Sequence, residues 1–369
     1  MNATRANQIM QRWNVIQYEI IPSLHDQTES MTPKLEKLIH ILEWLRIEEN
    51  MRVSWIGNGR PPHERAWIAN AFVAKAVLGI GTTIGLIERL ANDRALRRIC
   101  GFSVCKRLPS EATFSRAFDE FSRLELAQKW HEELIKKELG EVMIGHICRD
   151  GTAIEAREKP AKTAAKPEVK AEKKKRGRPR RGEVREPAKE SALAQQRKQT
   201  LAQMLKELPT QCDRGAKCNA QGYANSWNGY KLHIDTACNG VPVAAILSSA
   251  SIHDSRAAIP LSLMSKGRVT SLYDLMDAAY CSFELQEHSR ALGHVPLIDH
   301  NPRRSEKIEF EPADAQRYKH RTVAERTNAR LKDEFGGRNV RVKGASKVGT
   351  HLMLGILALS VDQLMRLRR

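Results

Sequence analysis

Apolar residues in the first part of the chain recur at the spacing of a helix that is buried on one face. Between residues 35 and 45 the apolar positions are Leu35, Leu38, Ile39, Ile41, Leu42 and Leu45. This spacing predicts an amphipathic helix, and Asn58–Pro62 predicts a break after it because Gly and Pro interrupt helices. The apolar segment Trp67–Ile87 predicts one long helix or a helix pair, with Gly79 and Gly81 as possible breaks.

The next helix is predicted to start at Pro109 or Ser110 and to continue through Phe118. Two interpretations of this helix stay open. It can be the recognition helix of a helix-turn-helix motif, although the connection before it, Cys100–Leu108, is longer than the usual turn. It can also be a structural helix of an all-α module. In either case we expect residues 1–140 to form a helical N-terminal domain.

The pattern changes to strands after residue 140. Val142–Thr152 predicts a short strand that ends in Asp-Gly-Thr, where Gly151 would let the backbone turn beside Asp150. Further strands are predicted at Gly229–Asp235, Val241–Leu247, Val269–Met276 and His294–Ile298. The first two of these would form a hairpin, because the Asn-Gly pair at 239–240 is a strong signal for a tight turn.

Helices are predicted between and after these strands. One helix starts after His253, where capping by Asp254 or Ser255 is expected. The alternative is that His253 and Asp254 are polar groups near a functional site. Two further helices are predicted, one that ends at Leu292 and an apolar one at His351–Leu367 that would pack against the sheet.

Residues 157–190 form a basic segment with almost no large apolar residues. They contain fourteen Lys or Arg and six Glu, which gives a net charge of +8. Such a segment cannot bury enough apolar surface to offset the entropy lost on ordering, so we expect it to be disordered. A helix is predicted directly after it, at residues 191–208.

The chain as a whole is strongly basic. Its 369 residues carry a formal net charge of +18, the pI is near 9.7, and 41% of the residues are hydrophobic. The apolar share is sufficient for real cores, and the excess of cations favours a polyanionic partner, nucleic acid before membrane. Seven cysteines are scattered without the spacing of a zinc site, so we expect reduced thiols in a cytoplasmic protein.

No membrane segment is expected either. The first residues contain no apolar run fit for a signal peptide. The apolar run Leu352–Leu359 is too short to span a bilayer and is closely followed by Asp362.

The segment from Tyr318 to Lys332 predicts a helix with one charged face. At about 100° per residue, four side chains fall within an arc of roughly 60°: Tyr318, Arg321, Glu325 and Lys332. About 90° away lies an apolar stripe that would dock the helix on a core: Ala324, Leu331 and Phe335. A solvated, charge-rich surface helix is one interpretation. The other is a metal-binding carboxylate flanked by cations that bind phosphate.

The spacing Tyr, two residues, Arg, three residues, Glu, six residues, Lys resembles the signature of a large group of bacterial insertion-sequence transposases. The segment from Tyr318 to Lys332 matches it without a gap. Asp277-Ala-Ala-Tyr280 is similar to the Asp-x-x-Tyr segment of the same family, although Ala279 stands where Gly is frequent. The N-terminal region more loosely resembles the domain that these enzymes use to bind the terminal repeats of their element.

This resemblance implies an α/β fold of the ribonuclease H-like class: a mixed sheet with flanking helices at residues 141–369, interrupted by the basic insert and preceded by the all-α domain. The first and fourth strands of that fold are neighbours. Asp150 and Asp277 would therefore emerge side by side, and Glu325 would face them from its helix. Asp274 is a rival for the second aspartate; we prefer Asp277 because Tyr280 follows it at the family spacing and because Asp274 lies within the apolar strand.

The resemblance also implies a two-metal mechanism. Asp150, Asp277 and Glu325 would be catalytic and would hold two Mg²⁺ or Mn²⁺ ions, which carboxylates suit well. Arg321 and Lys332 would bind DNA phosphates. Tyr318 would either donate to a phosphate oxygen or position the helix.

The basic insert contains a motif of its own. Arg176-Gly177-Arg178-Pro179-Arg180 is similar to the AT-hook, a short element that lies extended in the minor groove of A·T-rich DNA. Arginine favours this narrow, electronegative groove, and glycine leaves room for a close approach of the backbone. The alternative is a solvated basic linker with non-specific affinity for phosphate.

The function implied by the resemblance is that of a DNA transposase. It would bind its element's terminal repeats in double-stranded DNA, hydrolyse a strand to expose a 3′-hydroxyl, and join that hydroxyl to target DNA. A homodimer or larger multimer is implied because two ends must be paired. Two alternatives stay open. One is a catalytically inactive DNA-binding or regulatory protein derived from a transposase, which the presence of all three carboxylates disfavours. The other is a metal-dependent nuclease without strand transfer.

Overall fold

The computed structural model describes residues 9–10, 31–51, 63–161, 190–218, 222–302 and 306–368. The expected break at Asn58–Pro62 and the AT-hook-like motif at Arg176–Arg180 lie outside these residues. The described part of the N-terminal region is helical, with α1 Pro33–Leu45, α2 Ile47–Asn50, α3 Arg65–Val77, α4 Thr83–Asn92, α5 Arg94–Ile99, α6 Glu111–Arg123 and α7 Leu126–Leu139.

The helical pattern of the sequence is confirmed in this region. Helix α1 buries all six of the apolar residues that predicted it. The segment from Trp67 forms a helix pair, and Gly79 adopts a positive φ of 67° between α3 and α4. Helix α6 begins after Ser110 and buries Phe114, Phe118 and Phe121. That α6 reads DNA stays a prediction.

In the described part of the chain six strands form one mixed sheet: β1 Met143–Glu155, β2 Asp213–Cys218, β3 Ala224–Ala237, β4 Pro242–Ser249, β5 Thr270–Met276 and β6 Val295–Ile298. Strand β1 lies between β3, to which it is antiparallel, and β5, to which it is parallel. Strand β6 continues the parallel side, while β2 and β4 pair with successive parts of β3. This order and these directions are consistent with the expected ribonuclease H-like core.

The remaining helices are α8 Ala192–Gln196, α9 Leu201–Glu207, α10 Ser255–Lys266, α11 Phe283–Ala291, α12 Pro312–Tyr318, α13 Thr322–Glu334 and α14 Ala345–Leu367. The single helix expected at 191–208 is instead two short ones. The second begins at a capping box in which Thr200 and Gln203 exchange hydrogen bonds, and this separates it from the first. Strand β2 was not predicted.

Helices cover both faces of the sheet. On one face Met276 and Ile298 pack with Ile259 of α10 and Leu285 of α11. On the other face Cys148 of β1 and Leu275 of β5 are buried with Ala324 of α13. Since successive side chains of a strand point to opposite faces, each position of β1 belongs to one of these two layers.

One buried cluster joins the helical region to the sheet. It includes Leu35 of α1, Phe114 of α6, Ile234 of β3 and Leu357 of α14. Helix α14 has 23 residues, longer than the apolar run that marked it, and by length and composition it could cross a membrane. Most of it is buried inside the protein, however, so its apolar surface serves the shared core. The expected packing of this helix on the sheet is only part of its role.

Candidate active site

Two aspartates lie at the same level on neighbouring strands. Strands β1 and β5 are parallel, with Cys148 opposite Leu275. Continuing this register by two residues places Asp150 beside Asp277, which directly follows β5. The alternation of side chains along both strands then puts the two carboxylates on the face that α13 covers.

Asp274 belongs to the opposite face. It is paired with Ile147, whose side chain points to the face of the sheet opposite to those of Cys148 and Asp150. Its side chain is buried and accepts hydrogen bonds from Ser289 Oγ at 2.5 Å and from His294 Nδ1 at 3.1 Å. This environment is that of a structural carboxylate in the sheet–helix interface, and it separates Asp274 from Asp150.

Gly151 does not end the first strand, so the expected turn beside Asp150 is wrong. Strand β1 continues to Glu155, and Gly151 pairs with His233 of β3. The glycine has a different physical reason. A Cβ placed there would lie 3.1 Å from His233 Nδ1 and 3.2 Å from Asp254 Cγ. The missing side chain therefore allows polar groups to approach the strand next to Asp150.

Asp277 is fixed by a short 3-10 turn, Ala278–Tyr280. Its side chain accepts a hydrogen bond of 3.0 Å from the backbone N–H of Ala279, which caps the turn. Tyr280, the residue at the family spacing, is fully buried beneath it. The strand end and this turn together set the direction of the Asp277 carboxylate.

The sequence predicted one continuous charged helix, but the structure divides it into three parts. Helix α12 ends at Tyr318, a 3-10 turn covers Lys319–Arg321, and α13 starts at Thr322. A 3-10 turn rotates about 20° further per residue than an α-helix, so Tyr318 is displaced from the predicted arc by roughly 60°. The predicted apolar stripe is confirmed, with Ala324, Leu331 and Phe335 all buried.

The turn is attached to the strand ends at two points. The hydroxyl of Tyr318 donates to the backbone carbonyl of Met276 at 3.2 Å, immediately before Asp277. The backbone carbonyl of His320 accepts a bond of 3.4 Å from Cys148 Sγ. These contacts hold the start of α13 over the two aspartates. They favour the positioning role for Tyr318 over direct contact with phosphate.

Arg321 lies among the carboxylates. It donates to Glu325 Oε1 at 2.5 Å and lies 3.9 Å from Asp150 Oδ1. Burial acts to lower the pKa of Arg321, but its neighbours raise it above the ordinary value: Tyr318, Asp150, Glu325 and Asp277. One guanidinium is therefore in electrostatic contact with all three proposed catalytic acids.

Asn328 is a site residue that the sequence reasoning missed. Its Nδ2 donates to Asp150 Oδ2 at 2.8 Å, and its Oδ1 is buried without a hydrogen-bond partner among the described residues. A signal was present in the sequence, because residue 328 is one turn after Glu325 on the same face of α13. The Asn328 amide carries no charge, so the pattern of ionised side chains along this helix did not indicate it.

The aspartates share a negative environment. Burial, followed by repulsion from Asp277, raises the pKa of Asp150 to about 6. Burial also raises the pKa of Asp277. Two cations oppose these effects, Arg321 and Lys217 of β2, and the sequence did not indicate Lys217. Burial lowers the pKa of Lys332, the last residue of the signature, and this half-buried side chain lies near Lys217 and Arg338.

The donor set suits a hard divalent cation. Within the described parts of the chain, no group of three or more His, Cys, Asp or Glu side chains is close enough to hold a metal. Glu325 is half-exposed and is turned towards Arg321. Asp150 and Asp277 nevertheless present carboxylate oxygens at one level, with the partnerless Asn328 Oδ1 beside them. Oxygen donors of this kind fit Mg²⁺ or Mn²⁺, provided that Glu325 exchanges its partner.

Two models of known families match the chain. Residues 142–361 match the family described as "Transposase DDE domain", a range that includes the whole sheet, Asp150, Asp277 and Glu325. Residues 22–120 match the family described as "Transposase domain". The first match covers more than half of the chain. A search of curated proteins found no match.

Proposed function

The chain belongs to the DDE transposase family of insertion sequences, and from this premise we propose that it cuts and joins DNA at the ends of a mobile element. It binds the terminal repeats, hydrolyses a strand to expose a 3′-hydroxyl, and transfers that hydroxyl to target DNA. Asp150, Asp277 and Glu325 are the proposed catalytic residues.

One observation carries the proposal. Two aspartates from adjacent parallel strands stand at one level on one face of the sheet, and α13 brings Glu325 and Arg321 over that face. Asp274, the nearest alternative, is excluded from this face by its register. An arrangement of three acids and a cation over a strand end has the components for phosphodiester chemistry.

The three carboxylates would hold two Mg²⁺ or Mn²⁺ ions, which would activate the attacking oxygen and stabilise the leaving oxygen. Asn328 keeps Asp150 in one orientation through its amide hydrogen bond. Partial burial of the two aspartates reduces their contact with bulk water and strengthens their interaction with cations. Glu325 is released for binding when a DNA phosphate replaces it as the partner of Arg321.

Arg321 and Lys332 are the proposed phosphate-binding cations. They lie eleven residues apart on the same helical segment, three turns, so they would contact phosphates on either side of the scissile one. In hydrolysis the oxygen of water bonds to phosphorus, the bond to the 3′-oxygen breaks, and that oxygen takes up a proton. In joining, the exposed 3′-hydroxyl attacks a target phosphodiester, loses its proton, and displaces another 3′-oxygen.

The partners follow from the same proposal. The net charge of +18 supplies long-range attraction to double-stranded DNA. Binding of the terminal repeats is assigned to the helical region that matches the second transposase family. Pairing of two element ends requires at least two copies of the chain, so we propose a homodimer or larger multimer in the complex with DNA.

The test is cleavage of DNA that carries the flanking ends of the element, with Mg²⁺ or Mn²⁺. Wild type is compared with Glu325→Gln, Asp150→Asn and Asp277→Asn. Each variant should bind the DNA and lose at least about a hundred-fold in cleavage rate. Asp274→Asn is the matched control, because it removes an acid from the opposite face of the same sheet and should still cut.

Three results would contradict the proposal or one of its parts. Binding without cleavage by wild type under both metals would identify a DNA-binding regulatory protein that is derived from a transposase. Cleavage without any joined product, when target DNA is supplied, would identify a nuclease. An inactive Asp274→Asn beside an active Asp277→Asn would refute the choice of the second aspartate.

A further inference from the structure

Asp254 lies directly before α10, but it does not cap that helix. The prediction that Asp254 caps the helix is wrong, because its side chain accepts no hydrogen bond from the backbone N–H groups of α10. The carboxylate is instead bound by Lys231 of β3 at 2.9 Å. Lys231 also donates to the carbonyl of Ile252 at 2.8 Å. An interaction other than capping therefore decides where this carboxylate points.

The carboxylate of Asp254 approaches the strand that carries Asp150. A Cβ on Gly151 would meet Asp254 Cγ at 3.2 Å and Oδ1 at 3.3 Å. Gly151 is adjacent to Asp150 in the chain and faces the α10 side of the sheet. Asp254 thus lies against β1 directly beside Asp150, on the face of the sheet opposite to α13. Its side chain is only 18% exposed, and that of Lys231 is 17% exposed.

Two buried polar groups near this carboxylate have no partner. Among the described residues, the hydroxyl of Tyr280 and the Nδ1 of His233 make no hydrogen bond, although Tyr280 is 1% and His233 0% exposed. His233 uses its other nitrogen for Ser248 at 2.9 Å. Unpaired buried donors or acceptors are costly, so a polar occupant is expected to join them.

Electrostatics link Asp254 to the same groups. Burial raises the pKa of Asp277, and the charge of Asp254 adds to this effect. Burial also raises the pKa of Tyr280, and among the charged neighbours that contribute are Asp254, Asp150 and Asp277. Asp254, Asp150 and Asp277 are therefore all close enough to Tyr280 to influence its pKa. Lys231 decides how much of the Asp254 charge the site experiences.

We propose that Asp254 is a fourth acid of the site, a positioning residue that strengthens divalent-cation binding at Asp150 and Asp277 and whose effect is set by its ion pair with Lys231. This inference rests on the proposed function, since it concerns the same metal ions. Gly151 has no side chain because the fourth carboxylate must approach the strand there. His233 Nδ1 lies, like Asp254, against the position of Gly151, and Tyr280 follows Asp277 by three residues.

The test uses two substitutions that break one ion pair from its two sides. Asp254→Asn removes negative charge, so Mn²⁺ affinity, measured by titration calorimetry on the full chain, should fall about three- to ten-fold. Lys231→Gln leaves the carboxylate without its counter-ion, so Mn²⁺ affinity should rise by about the same factor. A merely structural ion pair would make both variants behave alike. Asp119→Asn, which breaks the Asp119–Lys347 pair in the helical region, is the control that should leave affinity unchanged.

A third variant covers the case in which Asp254→Asn does not fold. Gly151→Ala retains both charges but displaces Asp254, and it should weaken Mn²⁺ binding in the same direction. Cleavage by each weakened variant should recover when Mn²⁺ is raised, because the reacting groups are intact. Shifts of the same sign for Asp254→Asn and Lys231→Gln, or no shift in either, would refute the inference while wild-type cleavage stands. Wild type that neither binds Mn²⁺ nor cuts would refute the proposed function itself.

Discussion

At the scale of single residues, Asp150 shows how burial and charge oppose each other in the candidate site. Its side chain is 14% exposed, and burial and Asp277 raise its pKa from 3.8 to about 6. Between pH 4 and 6 the folded protein holds a proton that the unfolded chain has released. Stability therefore falls as pH rises through this window, and the full cost of ionisation is present above pH 6.

Asp150→Asn is expected to stabilise the protein at neutral pH in the absence of metal. The gain in the free energy of unfolding should be about 1–3 kcal/mol at pH 7.5 and should shrink towards zero at pH 4. Urea denaturation in the presence of a chelator at both values measures it. Asp274→Asn should have the opposite sign at pH 7.5. Burial raises the pKa of that carboxyl, but the hydrogen bond from His294, the charge of Arg149 and the hydrogen bond from Ser289 together lower it below its ordinary value. Equal effects of the two substitutions would contradict the assignment of their environments.

At the scale of elements, α13 carries Glu325 to the candidate site, and the position of α13 depends on α14. Leu331 and Phe335 of the α13 segment are buried against the long helix. The two helices approach each other closely at Gly355 of α14, where a Cβ would lie 2.6 Å from the carbonyl oxygen of Phe335 and 3.0 Å from Leu331 Cδ1. The helix that carries Glu325 is thus held by close packing at a position far from the strand ends.

Gly355→Ala and Gly349→Ala form a matched pair on α14. Gly355→Ala should destabilise the protein by about 1–3 kcal/mol through overpacking and should slow cleavage by displacing α13. At Gly349 the nearest atoms to a Cβ are 4.0 Å away, so Gly349→Ala should be neutral or stabilising by about 0.5–1 kcal/mol. Thermal unfolding and cleavage rate measure both effects. A tolerated Gly355→Ala with normal cleavage would show that α13 is not positioned by this contact.

At the scale of the whole molecule, two features extend beyond the site. The buried cluster that joins α1, α6, β3 and α14 makes the helical region and the sheet a continuous core. Much of the positive charge, in contrast, is concentrated in one segment of the chain. Residues 162–189 alone contribute twelve Lys or Arg against four Glu. The folded core thus fixes the acids in place, and we expect the basic segment to supply much of the attraction for DNA.

Replacing residues 162–189 by a Gly-Ser linker of equal length is expected to weaken DNA binding and to flatten its dependence on salt. Each lost phosphate contact lowers the slope of log affinity against log salt by about 0.9. Metal-dependent cleavage of saturated DNA should remain. A second variant, with Ala at 176, 178 and 180, should lose preference for A·T-rich DNA only if the AT-hook interpretation is right. Loss of cleavage on saturated DNA in the linker variant would place the segment in the active site.

The sequence by itself determined the features that depend on local spacing. The apolar stripe of Ala324, Leu331 and Phe335 follows from helical periodicity, so it could be read without a structure. Apart from β2 and the division of the helix at 191–208, the order of strands and helices after residue 140 and the Asn-Gly hairpin between β3 and β4 were accessible for the same reason. The spacing from Tyr318 to Lys332 indicated a DDE transposase, and the match of residues 142–361 confirms that family.

Only the tertiary structure decided the contacts between distant segments. Register across β1 and β5 separates Asp274 from Asp277, and register is set by long-range pairing rather than by composition. The continuation of β1 through Gly151, and the binding of Asp254 by Lys231 in place of capping, depend on residues far apart in the chain. Strand β2 escaped prediction because its short polar sequence acquires strand structure only by pairing with β3. Spacing along the chain indicated which residues could be functional, and tertiary packing determined which of them lie close together.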